Sequence, residues 1–415
     1  MASWDGNAKL PGLQHSRSSD SYSQNSGSQS HLFSQYCQPY FLRALDCVIS
    51  TFLEQNDKTS YNACGEAKPC RKSPLQLRIA DYGSSFGPTA LEHATIGLRS
   101  VIAAKSSLKL CEKIEIQWMF CDLPGNDFNA LFRSFRPEGP QLQHIVKVIT
   151  EGVEGYGVKA FAAAVPGSFY SRVLQENSLH FATCTFSLHW LSQVPEDLLD
   201  KNSKSWNGGH IWIDSNRPEV LAAYVRQFQQ DAKRFLQCRL EEMVEGGILF
   251  IAALSRKLSQ TSPETDMEFK MFWEDVLQCC WKEMVDEGII GEQEMDMFNY
   301  PFFNLHPSEL QTVMDDLENA LEVLTLELLE DCLVLPVDVH KNLMSNVEAF
   351  AEMNTKRMAA LTKPLLRDYL GESRTEDFFR RFHRKTIDKI DRLRHGECSL
   401  PSVQIVIAIL RKLKQ

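Results

Sequence analysis

The chain has 415 residues, of which 43% are hydrophobic, so it can bury a large core divided over roughly two or three domains. Its formal net charge of −10 argues against a nucleic-acid partner, because such proteins concentrate Lys and Arg to track phosphates. Its 12 cysteines lack the spacing of zinc or redox motifs, which favours reduced thiols and a cytoplasmic protein. We expect no export and no membrane span, since the N-terminus lacks a signal peptide and the longest apolar runs are strand-length.

The chain begins with a polar segment and a helix, and an α/β pattern follows. Residues 1–36 are rich in Ser and Gln and predict a flexible segment whose last part can order over a ligand in the active site, while apolar residues from 37 to 54 recur with helical spacing. Strands are predicted at 77–83, 114–123, 158–165, 178–186 and 247–254. Helices are predicted at 88–104 and from Pro218 to just before Gly246. This alternation predicts a mostly parallel sheet covered by helices on both faces.

The character of the sequence changes after the last of these strands. Residues 266–362 show helical periodicity, so we expect a helical cap domain at 261–365 beside a core at 37–260. The remaining section, 366–415, is expected to return to the core through a helix and a strand. That strand, SVQIVIAIL at 402–410, is predicted to form an edge of the sheet.

Glycines follow the first predicted strand where the chain must turn sharply into a helix. The sequence Ala80-Asp81-Tyr82-Gly83 is followed by Gly87, and such a turn lies where α/β folds bind cofactors. An ordinary strand-to-helix turn is the alternative. Asp122 ends the next strand, where its carboxylate can accept hydrogen bonds from ribose hydroxyls, or it can cap the following helix.

Three longer motifs carry a family resemblance. ADYGSSFGPTAL at 80–91, CDLPGNDFNALF at 121–132 and VPGSFYSRVLQENSLHFATCTFSLHWLSQ at 165–193 closely resemble the SABATH family of plant carboxyl methyltransferases, which use S-adenosylmethionine. The resemblance implies an α/β fold with a Rossmann-like methyltransferase core, an α-helical cap and a homodimer. It also implies a set of cofactor contacts: Tyr22, Asn25, Ser26, Asp81, Gly83, Thr89, Asp122, Leu123, Ser168 and Phe169.

The chain departs from the family at the glycine turn. Family members usually carry Cys-Ser-Ser-Gly-Pro-Asn where this chain has Ser-Ser-Phe-Gly-Pro-Thr, so Phe86 narrows the turn and Thr89 is shorter than Asn. Phe169 has an alternative role as a core aromatic.

The expected reaction is an in-line methyl transfer to a carboxylate. A carboxylic acid is ionised at cell pH and needs no general base, so the enzyme must position and desolvate it, and no catalytic residue is assigned. The resemblance gives the clamp for the carboxylate to the Gln29 amide and the Trp190 indole. Without the resemblance, the alternative roles are a core aromatic for Trp190 and a solvated tail residue for Gln29.

The resemblance also supplies pocket walls and a metal site. The remaining substrate contacts are Phe186, His189, Trp273, Phe302 and Phe303, with cap core as the alternative for the last three. Phe186 stands where members commonly have Tyr, which removes a hydroxyl. A Mg²⁺ site in some members matches Asn207, Asp296, Phe298 and Asn299, although the displacement requires no metal.

These observations predict an enzyme that converts a small aromatic or apolar acid into its methyl ester. Two alternatives stay open, an N-methyltransferase of the xanthine-alkaloid kind and a catalytically weak protein that binds the cofactor and an acid. Cofactor binding followed by an assay for methyl esters separates the three.

Overall fold

Strands from across the whole chain meet in one sheet. The computed structural model describes residues 27–57, 73–107, 112–134, 157–213, 217–256, 276–339, 345–394 and 402–414. Within these residues the strands are β1 (Leu75–Tyr82), β2 (Ile114–Asp122), β3 (Val158–Pro166), β4 (Leu179–Thr185), β5 (Met243–Ser255), β6 (Leu321–Leu333) and β7 (Ser402–Lys412). The predictions for β1 to β5 are confirmed to within a few residues.

The order of the strands is β3-β2-β1-β4-β5-β7-β6. The first five are parallel, and β7 runs antiparallel to both of its neighbours. The order reverses between β1 and β4, where Ile79 pairs with Trp118 on one side and Phe181 on the other. The carboxyl ends of strands beside such a reversal form the crevice in which α/β proteins bind their ligands.

Helices cover both faces of this sheet. Successive residues of β1 belong to different hydrophobic clusters, with Ile79 on one face and Ala80 on the other. The first cluster also contains apolar residues of the helices Gln38–Asp57 and Pro88–Ser107, and the second contains those of Pro218–Glu242, which we call the long helix. The expected mostly parallel, doubly covered sheet is therefore confirmed.

The carboxyl-terminal part of the sheet corrects two expectations. The strand β7 is not an edge, because it lies between β5 and β6. The edge is β6, whose residues 321–333 were expected to be helical. Its sequence, LEVLTLELLEDCL, consists largely of Leu and Glu, which favour helices in isolation, but charges are also typical of an exposed edge strand. Pairing with β7 decides between these two tendencies.

A separate hydrophobic cluster lies outside the sheet. Helices Gln278–Asp286, Glu292–Asp296, Val347–Leu370 and Glu372–Arg394 contribute to it around the fully buried Trp281. A further helix, Pro307–Asp315, packs on the second face of the sheet, and shorter ones occupy Gly27–Leu32 and Phe128–Ser134. None of the helices in the described ranges combines the length and apolar character that crossing a membrane requires.

Candidate active site

The strand-order reversal brings the end of β1 against the turn that leaves β2. Asp81 is buried at the end of β1, and Gly83 follows with φ of +76°. The Gly83 and Ser84 backbone N–H groups donate to the Cys121 carbonyl at 2.8 and 3.2 Å. The backbone of the glycine turn is thereby fixed to β2, and Gly83 occupies a conformation that other residues adopt only with strain.

The neighbours of Gly83 also leave no room for a side chain. A Cβ placed there would lie 2.3 Å from Ser187 Oγ and 3.7 Å from Cε1 of Phe169. Ser187 in turn donates to the Gly83 carbonyl at 3.1 Å. Sequence reasoning missed Ser187, because no local spacing indicates that a serine after β4 will cover a glycine after β1.

Asp122 closes the other side of the turn. Its carboxylate accepts hydrogen bonds from the Ser85 N–H at 2.6 Å and the Leu123 N–H at 2.7 Å. The residue is only partly buried, yet loss of solvation raises the pKa of its carboxyl to about 6 despite these two bonds, and the charge of Asp81 raises it further. Asp122 does not cap the next helix, because Asp127 accepts the Ala130 N–H instead.

Buried polar atoms without a partner occur in the glycine turn, in the helix that follows it and in the helix Gly27–Leu32. Ser85 Oγ, Thr89 Oγ1 and Gln29 Oε1 are buried and have no hydrogen-bond partner among the described residues. Gln29 lies on the helix Gly27–Leu32, which is tied to the helix Pro88–Ser107 by a 2.8 Å bond from Ser30 to Glu92. Gln29 is therefore no solvated tail residue. Buried polar atoms left without partners indicate a place where a ligand supplies them.

His93 is a second neighbour of the turn that the sequence did not reveal. Its Nδ1 lies 3.3 Å from Oδ2 of buried Asp81, and its ring packs 4.2 Å from that of Phe33. The Phe86 ring is buried in the hydrophobic cluster that also holds Phe33, so it adds to the core on this face.

A loop after β3 forms the far wall of the turn. The Gly167 N–H donates to the Asp122 carbonyl at 2.8 Å, which anchors the start of this loop to β2. Ser168 Oγ accepts the Tyr170 N–H at 3.2 Å, and the Phe169 ring packs 5.7 Å from Phe235 of the long helix. The structure therefore brings the loop that carries Ser168 and Phe169 to Gly83 and Asp122.

Aromatic residues meet at the end of β4. Trp190 pairs with Phe302 in an isolated antiparallel bridge, and their rings lie 5.3 Å apart. The His189 ring lies 4.6 Å from Phe302, and burial lowers the pKa of this imidazole to about 3, so it is neutral at cell pH. Trp190 is only partly buried. The described part of the chain gives its indole N–H no acceptor, so it can donate to a ligand.

The side chains of two predicted pocket residues pack into the hydrophobic clusters on the two faces of the sheet. Phe303 is fully buried in the core of the sheet, where its ring packs against Tyr224 and Phe228. Phe186 adopts φ of +52°, donates its N–H to the Ala252 carbonyl and packs in the cluster on the opposite face. The structure therefore gives Phe303 a core role, and Phe186 bends the chain after β4.

Three of the four residues matched to a Mg²⁺ site form hydrogen bonds through their side chains. Asn207 donates through Nδ2 to Asn299 Oδ1 at 2.6 Å, while its own Oδ1 accepts from Arg217 at 3.3 Å. Asp296 accepts the Gly209 N–H, and the Phe298 ring stacks on Trp281. One acceptor position on the side-chain oxygen of each asparagine is therefore occupied by an N–H donor, and the Mg²⁺ site stays a prediction. In the described residues no cluster of three or more His, Cys, Asp or Glu could hold a metal.

Four predicted site residues lie outside the described residues: Tyr22, Asn25, Ser26 and Trp273. Their placement stays a prediction.

Comparison with known proteins gives one consistent result. The family model described as SAM dependent carboxyl methyltransferase matches residues 14–412. Gibberellic acid methyltransferase 1 of Arabidopsis thaliana is 32% identical over 317 residues, 74% of this chain and 78% of that protein. Salicylate carboxymethyltransferase of Clarkia breweri is 32% identical over 346 residues, 81% and 85% of the two chains. The solved structure of a loganic acid methyltransferase with SAH aligns with a TM-score of 0.71 at 26% identity, covering 97% of this chain and 99% of that one.

Proposed function

The chain belongs to the SAM-dependent carboxyl methyltransferase family, and from that premise we propose that it methylates the carboxylate of a small aromatic or apolar acid. The products are the methyl ester and S-adenosylhomocysteine. When bound, S-adenosylmethionine supplies a methyl group carried on a positively charged sulfur. Every other step is alignment by residues of this chain, since an ionised carboxylate needs no base to attack.

The polar end of the crevice is assigned to the cofactor. Asp122 keeps acceptor capacity for two ribose hydroxyls after accepting the N–H groups of Ser85 and Leu123, since each carboxylate oxygen has a second lone pair. Thr89 and Asp81 lie beside the glycine turn and are assigned to the amino-acid end, where the Thr89 hydroxyl has no partner in the described residues. Ser168 and Phe169 are assigned to the adenine. Tyr22, Asn25 and Ser26 complete this assignment from the family resemblance.

The aromatic end is assigned to the acid. Trp190 and Gln29 offer the acceptor carboxylate two neutral N–H donors, which orient it without the strong charge pairing that Arg or Lys would impose. Neutral His189 and the Phe302 ring supply walls without a fixed charge. Trp273 joins these walls by resemblance. A pocket of aromatic walls with a few neutral donors suits a compact aromatic or apolar acid.

The observation that carries the proposal is the meeting of these two ends at the strand-order reversal. The Gly83 turn carries the polar groups, and Ser187, three residues before Trp190, lies directly on that turn. The two ends are therefore joined through one short segment after β4. A methyl donor in one and a carboxylate in the other would meet near this segment, as in-line transfer requires.

The test is a panel assay with the purified full-length chain. Salicylate, benzoate, cinnamate, jasmonate, indole-3-acetate and a gibberellin are incubated singly with S-adenosylmethionine, and methyl esters are detected by mass. We expect an ester from at least one acid. An N-methylated product from added xanthines, without any ester, would replace the proposal with the alkaloid alternative. Binding of S-adenosylhomocysteine without any methylated product would support the third alternative, a catalytically weak protein that binds the cofactor and an acid.

We also propose that the enzyme acts as a homodimer in the cytoplasm. The dimer rests on the family resemblance. Eight cysteines of the described residues are free thiols, and burial raises the pKa of Cys37, Cys121, Cys184, Cys280 and Cys332, so these stay protonated and unreactive in a reducing compartment. Light scattering after size exclusion tests the assembly, and a fluorescent fusion tests the location.

A further inference from the structure

A network of buried charges lies directly behind the cofactor crevice. Tyr82, Arg239 and Glu242 have no exposed surface at all. Tyr82 stands between Asp81 and Gly83, whereas Arg239 and Glu242 occupy the last turn of the long helix. Burying an ion pair costs free energy because both charges lose their hydration, so a network of this kind calls for an explanation.

Glu242 is saturated with donors. Its carboxylate accepts the Tyr82 hydroxyl at 2.5 Å and Arg239 Nε at 2.8 Å, and Arg239 Nη2 also donates to it. It further accepts the backbone N–H groups of Val173 and Leu174 at 2.6 and 2.9 Å. Burial and the adjacent carboxylate raise the pKa of Tyr82 well above its ordinary value, so its hydroxyl keeps the proton that it donates.

Arg239 binds the same loop from the other side. Its guanidinium donates to the Phe169 carbonyl at 2.8 Å and to the Ser171 carbonyl at 3.0 Å, and it lies 3.9 Å above the Tyr82 ring. The segment 168–174, which we call the adenine loop, is thus bound through two carbonyls and two N–H groups to one ion pair. An apolar core would fill this space but could not bind those backbone groups.

We propose that Arg239, Glu242 and Tyr82 are positioning residues that hold the adenine loop at a fixed distance from the Gly83 turn. This inference rests on the proposed cofactor site. The Phe169 ring lies where it would contact a Cβ added to Gly83. Arg239 holds Phe169 by its backbone carbonyl, and Phe235 packs against its ring. Tyr82 joins the network to the strand that carries Asp81, so both walls of the crevice share one anchor.

The experiment compares the affinity for S-adenosylhomocysteine, measured by calorimetry, in Tyr82→Phe, Arg239→Lys and the unsubstituted enzyme. Tyr82→Phe removes one hydrogen bond and keeps the ring, and we expect a weakening of about fivefold. Arg239→Lys keeps the charge but cannot reach both carbonyls and Glu242 together, and we expect a weakening of at least about tenfold. Circular dichroism verifies that each variant is folded at the temperature of the measurement.

Tyr224→Phe is the matched control. Tyr224 lies on the same long helix, is equally buried, and donates to the Tyr300 carbonyl at 2.9 Å, away from the adenine loop. We expect a similar fall in melting temperature with unchanged affinity. Wild-type affinity in both folded network variants, or an equal weakening in Tyr224→Phe, would overturn the inference. Failure of the unsubstituted enzyme to bind S-adenosylhomocysteine would instead remove the proposed function, and the inference with it.

Discussion

The two ends of the crevice treat charge in opposite ways. At the cofactor end, Asp122 stays in place beside Asp81 although burial raises its pKa to about 6, because backbone N–H groups hold it. At the acceptor end, the ionisable His189 is buried among aromatic rings and its pKa falls to about 3. One end therefore presents carboxylate acceptors and the other neutral donors, which matches a cationic methyl donor facing an anionic acceptor.

Removing the carboxylate at the cofactor end should give the largest effect. We expect Asp122→Ala to weaken binding of S-adenosylhomocysteine by at least about a hundredfold, since two hydrogen bonds to a charged group contribute about 1.5 kcal/mol or more each. Calorimetry on the folded variant measures this. Asp127→Ala is the control, because Asp127 caps the next helix and points to Ala130. Wild-type affinity in Asp122→Ala would refute the assignment of the cofactor end.

The neutral donors at the acceptor end should matter next. We expect Trp190→Phe and Gln29→Ala each to lower kcat/KM for the acid by roughly ten- to a hundredfold, with unchanged affinity for S-adenosylhomocysteine. Steady-state kinetics with calorimetry separates the two quantities. Trp118→Phe is the matched control, because it also removes an indole N–H that has no partner among the described residues. The Trp118 ring packs over Gly97 instead of the acceptor end. Full activity in both site variants would contradict the clamp.

Titration of Asp122 should make cofactor affinity depend on pH. Ribose hydroxyls donate to the ionised carboxylate, so affinity should be constant above about pH 7 and fall about tenfold per pH unit below about 6. Without cofactor, the folded protein instead favours the protonated form of Asp122. The contribution of this group to the free energy of unfolding is complete below its ordinary pKa of 3.8 and is lost as pH rises through about 6. Binding isotherms between about pH 5 and 8 test this, and a pH slope retained in Asp122→Asn would assign it to another group.

The smallest effect is expected at His189. An imidazole with a pKa of about 3 is uncharged at neutral pH and too weak a base to take up a proton, so His189→Met should keep kcat within about tenfold and alter the preference among acids. Kinetics on the acid panel measures both. A loss of many orders of magnitude on every acid, with the fold preserved, would make His189 a chemical participant.

The sequence anticipated the parts of this protein that depend on local pattern. Alternating apolar runs and the Pro218 helix start predicted β1 to β5 and the long helix, because a buried parallel strand and an amphipathic helix have distinct periods. Gly83 and Asp122 became candidate site residues for the same reason, since a glycine and a carboxylate that follow strands are visible in a short window of sequence, and the structure gives Gly83 a positive φ.

Pairing between distant segments decided the rest. The Leu- and Glu-rich β6 is an edge strand because it forms backbone hydrogen bonds with β7. Phe303 is a core residue because its ring stacks on that of Tyr224. The Arg217 guanidinium donates a hydrogen bond to the side chain of Asn207, which the family resemblance had matched to a Mg²⁺ site. Arg239 and Glu242 read as the ordinary end of a helix, yet the fold buries them as the anchor of the adenine loop, since only tertiary structure can supply a buried charge with all its partners.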